Sequence, residues 1–329
     1  MEYNISVIVP VYNVENYIER FGRCLFEQTM KEGMEYVFVN DCTPDRTMQV
    51  LEKVASEYPD RLEHIRYVNH SVNSGAPAAR NTGLAEARGE YLFFADPDDW
   101  MEREMFEDMY RLAKEQDADI VRCDYFCNYS SHEEIIKQGN ETDPIECVKL
   151  LLSEKLHGAL WNNLVKHSLF TDNEIISYNG YWDDLRTTVE LFYYAKRIAY
   201  IPKPYYHYVL YNPNALSFQN YDRKLAEMIR NTNGMIEFLK DRGVHLEKQF
   251  NHLKLGAKRG LLFTFDKKSF QRWRQIYPES NKYMWSYHVL PFHLRIVGGC
   301  ISILPWPLID LWILMKKMRR GKIEEYFGN

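Results

Sequence analysis

The first hundred residues alternate short apolar runs with helical stretches, and each apolar run ends in a polar cluster; no other feature of the chain limits its fold as much. "ISVIVPVY" is rich in β-branched residues and reads as a strand, Glu15 to Met30 places Tyr17, Ile18, Phe21 and Leu25 on one helical face, and "EYVFVND" reads as a second strand. The pattern then repeats. Thr47 to Tyr58 carries Val50, Leu51 and Val54 at helical spacing, "LEHIRYV" reads as a strand, Ala76 to Ala87 as a helix and "YLFFAD" as a fourth strand. Strands joined through helices of this length need right-handed crossovers, which predicts a doubly wound, mostly parallel α/β sheet covered on both faces.

Ligands on such sheets bind beyond the carboxyl ends of the strands. The polar residues collect there: "PVYN" after the first strand, "NDCTPD" after the second, "NHSVNSG" after the third and "DPDD" after the fourth. This brings Asp41 to the same edge as Asp96, Asp98 and Asp99. Two like charges about 5 Å apart repel by about 3 kcal/mol at an effective dielectric near 20, so three carboxylates around Pro97 need compensation. Two readings supply it. A turn at Pro97 lets Asp98 or Asp99 cap a helix starting near Trp100; alternatively, Asp96 and Asp98 hold a divalent cation, which takes hard oxygen ligands.

Several function classes fall away on charge and motif grounds. A net charge of −5 on 329 residues, with no basic stripe in the first 300, sets nucleic acid aside as a main partner. Neither G-x-G-x-x-G nor G-x-x-x-x-G-K-[ST] follows the first strand, as a dinucleotide dehydrogenase or a P-loop enzyme requires. A nucleotide at this edge must then be gripped by carboxylates and a bridging Mn²⁺ or Mg²⁺. "MEYNISVIVPVYN" lacks the basic start and apolar run of a secretory signal, and six scattered cysteines fit reduced thiols, so a cytoplasmic location is expected. Cys123 and Cys127 have only His132 nearby, too few ligands for zinc, and read as buried thiols.

Beyond Trp100, Met101, Met105, Met109 and Leu112 share a helical face of core character, "ADIVRCDYF" reads as a strand, and Asp143-Pro144 caps a helix through Leu152. "DDLRTTVELFYYAKRI" is a helix with an acidic start. From Tyr221 the chain turns helical, with Leu225, Met228, Ile229, Thr232, Ile236 and Leu239 in one stripe. The expected organisation is a catalytic domain over 1–218, a helical extension over 219–293 and an apolar, then basic, tail over 294–329.

The succession "ISVIVPVYNVENYI", "VFVNDCTPDRT", "NSGAPAARNTGLAEARGEYLFFADPDDW", "LWNNLVKHSLF" and "YWDDLRTTVEL" resembles the family 2 glycosyltransferases of the GT-A fold, over residues 4 to 217. The resemblance implies an inverting transferase that moves a sugar from a nucleotide diphosphate, UDP-linked, to a saccharide or lipid-linked saccharide acceptor in surface polysaccharide synthesis. It implies that Pro10, Tyr12, Asn13 and Asp41 hold the base and ribose, and that Arg80 lies near the uracil or diphosphate. Asp96 and Asp98 then bind ribose and metal with Asp99 beside them, and Asp183 or Asp184 is the catalytic base, Asp184 being preferred. A carboxylate there takes the proton of an attacking hydroxyl, and the metal absorbs charge on the departing diphosphate. By itself, the Asp183-Asp184 pair reads equally as an acidic first helical turn.

Three positions depart from the family pattern. Cys42 stands where glycine is common, Asn163 replaces a lysine, and Leu210 falls where relatives carry an arginine in an R-x-x-x-S-[IL]-S stretch. These changes keep open a non-catalytic nucleotide-sugar-binding module on the same fold; a nucleotidyltransferase would want a glycine-rich basic first loop, which is absent. His157 and His207 read as packed side chains. The tail "LRIVGGCISILPWPLIDLWILMKKMRRGK" is too interrupted to span a bilayer but fits a peripheral anchor through 294–322 on the inner face of the plasma membrane, the alternative being a helix packed on the protein.

Overall fold

The computed structural model describes residues 2–212 and 221–327, with side chains through Lys316 in the last helix. It contains two compact units, one of residues 1–151 with 156–219 and one of residues 152–155 with 220–329. The family-typical serine-containing stretch after Leu210 lies outside the described residues.

In the first unit, strand β1 (Tyr3–Val11) is buried from Ile5 to Val11, as expected for a near-continuous apolar run inside a sheet covered on both faces. It pairs in parallel with β2 (Met34–Asn40) on one side and β4 (Gly89–Phe94) on the other, and β3 (Ile65–Asn69) extends the sheet beyond β2. Helices α1 (Ile18–Phe26), α2 (Thr47–Ser56), the short α3 (Pro59–Leu62) and α4 (Ala76–Glu86) make the crossovers. Alternate residues serve opposite faces. Ile5, Val7 and Val9 join Phe21 and Leu25 of α1 and Leu51 and Val54 of α2 in the main core, whereas Val37 and Val39 of β2 pack on Ala79 of α4.

Helix α4 approaches β1 closely because Gly83 has no side chain: a Cβ there would meet Ile8 Cγ2 at 2.4 Å. That approach matters for the site, since α4 also carries Arg80.

Beyond β4 the sheet continues with strands of mixed direction. β8 (Asn163–Lys166) runs antiparallel to β4, and β6 (Ile120–Asn128) is antiparallel to β8. β9 (Ile198–Val209) lies parallel to β6, β5 (Trp100–Met101) pairs antiparallel with β9, and β7 (Glu133–Ile136) hairpins onto β6. Helices α5 (Met105–Gln116), α6 (Pro144–Leu152), α7 (His167–Asp172) and α8 (Asp183–Tyr194) connect them. Asp143 Oδ1 accepts the Glu146 N–H at 2.8 Å, the N-cap expected for α6. One expectation is corrected: no helix starts near Trp100. Trp100 pairs with His207 across β5 and β9, which commits it to extended backbone, and the helix begins at Met105. Met101, Met105 and Met109 nevertheless sit in the core, as do Cys123 and Cys127.

The second unit holds α9 (Tyr221–Asp241), α10 (Glu247–Lys258), α11 (Lys267–Gln275), α12 (Phe292–Ile303) and α13 (Trp306–Phe327). Of the expected α9 stripe, Leu225, Met228, Thr232, Ile236 and Leu239 are buried, and Ile229, at its margin, is half-buried. Lys258, wholly buried, donates to the carbonyls of Trp273, Ile276 and Tyr277 and so satisfies orphan acceptors at the end of α11. Among the described residues no helix is long and apolar enough to cross a membrane.

Candidate active site

Asp96, Pro97, Asp98 and Asp99 form a β-turn in which the Asp99 N–H donates to the Asp96 carbonyl at 3.1 Å; Pro97, at the second position, has the φ such a turn needs. Neighbouring strands clamp it. The Ala95 N–H donates to the Ile8 carbonyl at 3.0 Å, the Asp96 N–H to the Tyr206 hydroxyl at 3.0 Å, and Asp99 Oδ1 accepts the Val209 N–H at 2.7 Å. Asp99 therefore ties the turn to β9 rather than capping a helix, a second correction to the sequence reading. Asp98 takes a different partner: its Oδ2 accepts from the Asn212 amide at 2.8 Å, while Arg20 of α1 donates to its carbonyl at 2.9 Å.

Arg80 gathers the remaining carboxylates. Its Nη2 donates to Asp96 Oδ1 at 3.0 Å, and its Nη1 to Asp184 Oδ1 at 2.8 Å and Asp183 Oδ2 at 3.2 Å. One buried guanidinium on α4 thus joins the end of β4 to the start of α8. Its neighbour Asn81 reinforces the join through two bonds to the Ser177 backbone, at 2.9 Å and 2.7 Å, which fix the loop leading to α8. Trp182, immediately before the acidic pair, has φ +70°, a left-handed conformation costly for a bulky side chain and concentrated at functional sites.

Burial and mutual repulsion set the protonation of this cluster. Burial pushes the Asp184 carboxyl up to about 8; the Arg80 charge opposes the shift, and Asp183 and Asp96 add to it. Asp183 is raised too, again chiefly by burial. Asp98 is raised by burial and then by the Asp96 charge, and Asp99 by burial and then by Asp98 and Asp96. Arg80 stays firmly charged, since the three carboxylates outweigh the cost of its burial.

Asp41, at the end of β2, is buried and spends both oxygens on the loop before α4. Oδ1 accepts the Ser74 N–H at 2.8 Å and lies 2.7 Å from His70 Nδ1, while Oδ2 accepts the Gly75 N–H at 2.7 Å. His70 in turn reaches Thr82 of α4 at 2.9 Å. Asp41 thus fixes the loop that starts the Arg80 helix. Pro10 is buried in β1, whereas Tyr12 projects at the end of that strand, 45% exposed, and Asn13 adopts φ +54° with its N–H donated to Thr43 Oγ1. Cys42 has φ +57°, which accounts for glycine being common at its position.

Sequence reasoning missed His70, Tyr206, Asn212 and Arg20. His70 lies within a polar run and Arg20 on a charged helix face, so nothing local singles them out, and Tyr206 and Asn212 carry no local signal; only the tertiary pairing reveals these partners. The two histidines read as packed are so: His157 lies against Tyr125 and Trp161, and His207 stacks between Trp100 and Phe126. Asn163 is buried and bonded to the Ala159 carbonyl, and Leu210 packs at the core's edge.

Among the described residues, no three His, Cys, Asp or Glu side chains converge to hold a metal alone. Asp96 and Asp98 still suit a hard cation of the kind bound by one or two carboxylates and completed by substrate phosphates and water, because a shared cation offsets the burial and the Asp96 repulsion that together raise Asp98.

Residues 6–169 match the model of Glycosyl transferase family 2. The chain belongs to that family. Among its relatives, EpsH and EpsJ of Bacillus subtilis, both carrying glycosyltransferase names, are each 30% identical, over 232 and 236 residues. The aligned parts cover 68% and 69% of this chain but 65% and 66% of theirs, so it spans just under two thirds of either relative. The fold is GT-A: Staphylococcus aureus TarS 1–349, crystallised with UDP, superposes with a TM-score of 0.67 at 20% identity, covering 97% of this chain and 92% of that one. The mannosyltransferase PcManGT of Pyrobaculum calidifontis, solved in complex with GDP-Man and Mn²⁺, gives 0.55 at 17% identity, covering 100% and 88%.

Proposed function

We propose that this chain is a metal-dependent inverting glycosyltransferase that moves a sugar from a UDP-linked donor to a saccharide or lipid-linked saccharide acceptor in surface polysaccharide synthesis, working as a peripheral protein on the inner face of the plasma membrane. The observation that carries the reading is the single Arg80 guanidinium joining Asp96, at the diphosphate side, to Asp183 and Asp184. The UDP and UDP-GlcNAc bound by TarS, and the Mn²⁺ beside GDP-Man in PcManGT, support the donor class and the cation.

In this reading Tyr12 and Asn13 line the base, and Asp41 shapes the adjoining loop through Ser74 and Gly75. Asp98, with Asp96, holds Mn²⁺ or Mg²⁺, which when bound supplies positive charge for the departing diphosphate. Asp184 takes the proton from the acceptor hydroxyl as its oxygen attacks the anomeric carbon opposite the leaving group, inverting the configuration. Arg80 keeps Asp184 aimed and moderates its affinity for that proton. The raised carboxyl suits the task, since a general base works best with a pKa near the operating pH.

A screen of nucleotide sugars with Mn²⁺ and an oligosaccharide acceptor tests the proposal. Nucleoside diphosphate release that depends on acceptor and disappears in Asp184→Asn is the expected result. Donor binding with no release for any pair would favour the non-catalytic module instead.

A further inference from the structure

Two consecutive helices of the second unit are apolar on both sides. In α12, Leu294, Val297 and Ile301 are buried, yet Phe292, Ile296 and Ile303 face outward, Ile303 being 82% exposed. At about 100° of rotation per residue these three fall in one narrow stripe opposite the buried three. Helix α13 repeats the arrangement: Ile309 and Ile313 are buried, while Leu308, Leu311, Leu314 and Met315 on the other side are each at least half exposed. A helix facing water ordinarily makes its outer stripe polar, and single exposed leucines need no explanation. Seven such residues at helical spacing on successive helices mark a contact surface.

We propose that this surface seats the protein on anionic lipid, with the apolar stripes in the head-group boundary. Charge decides between a lipid surface and a second copy of the chain. From Phe292 to Phe327, the span of α12 and α13, the sequence holds Arg295, Lys316, Lys317, Arg319, Arg320 and Lys322 against Asp310, Glu324 and Glu325, a basic excess in a chain whose net charge is −5. Asp310 is itself paired with Lys267 at 2.7 Å. Two copies meeting through this segment would set cations against cations, whereas anionic head groups answer them. Spanning is excluded among the described residues: α12 has 12 residues where about 20 are needed, and no helix, α13 included, is both long and apolar enough to cross a membrane. The indoles suit the interface: Trp306 lies under the Arg274 guanidinium at 4.3 Å and Trp312 packs edge-on against Phe265 at 5.0 Å, both partly accessible. The inference rests on the peripheral placement proposed above and names the residues and the lipid class that produce it.

Flotation of the full chain with phosphatidylcholine vesicles, with and without phosphatidylglycerol, tests it. Binding is expected with phosphatidylglycerol, weakening as salt rises, and dropping at least about tenfold in Ile303→Glu/Leu308→Glu/Leu311→Glu. The single Ile303→Ser, at the most exposed position, should show a smaller loss of the same sign. Binding to neither vesicle, or equal binding by the triple variant, overturns the proposal. So does a wild-type dimer in light scattering that the variant dissolves without any vesicle binding. UDP titration of the same proteins separates the two readings: unchanged UDP binding with no flotation rejects the surface alone, and flotation without UDP binding rejects the donor site alone.

Discussion

Asp183 and Asp184 stand in the first turn of a helix, where acids are common, and what distinguishes them is the company Arg80 keeps there. Replacing Asp184 by asparagine keeps the shape and removes the base; transfer is expected to fall by about 10²–10⁴-fold with donor affinity retained, read by coupling product release to UDP titration. The pH profile carries a sharper signature. Asp184 must be ionised to accept a proton, and its carboxyl is raised to about 8, so activity should be high above that value and decline as pH falls through it, instead of persisting toward 4 as with an ordinary carboxylate. Arg80→Gln leaves buried carboxylates without their cation, and a loss of about 3–5 kcal/mol is expected in denaturant melts at neutral pH. Removing the guanidinium raises the folded-state carboxyls further, so the deficit should shrink as acid protonates them and grow as pH rises.

At the scale of elements, the site depends on how closely α4 lies on the sheet. Gly83 sits one turn from Arg80 and faces Ile8, whose methyl a new Cβ would overlap. Gly83→Ala is therefore expected to cost about 1–3 kcal/mol despite alanine's better helix propensity, and to weaken donor binding by shifting Arg80; an unchanged denaturation midpoint would show that β1 gives way freely. The sequence made this half of the molecule readable. β1 to β4 alternate with helices whose apolar spacing matches what they bury, and Asp143-Pro144 announced α6. The other half was less legible for physical reasons. β5 is two residues long and owes its form to His207 and Tyr206, more than a hundred positions away, so the stretch from Trp100 read as a helix. β8 is a four-residue strand inside "LWNNLVK", too short to show alternation, and its antiparallel place between β4 and β6 depends on pairing that no local pattern encodes.

At the scale of the whole molecule, the polar ends of four parallel strands, the clamped Asp96 turn and the acidic start of α8 belong to one unit, held by a cation that is part of the chain. Asp41 and Asp96 to Asp99 could be collected from sequence because they follow strands, and Asp183 and Asp184 because they open a helix; Arg80, inside α4, came only with the family resemblance. Their division of labour could not: Asp99 and Asp98 are adjacent and chemically identical, and only the bond from the Val209 N–H to one and from the Asn212 amide to the other separates them. The most direct measurement is calorimetric titration of UDP with and without Mn²⁺ into the wild type, Asp98→Ala and Asp99→Asn. Mn²⁺-dependent binding is expected, lost in Asp98→Ala and kept in Asp99→Asn, whose amide oxygen still accepts the Val209 N–H. Binding of equal strength without Mn²⁺, or undiminished in Asp98→Ala, would contradict it.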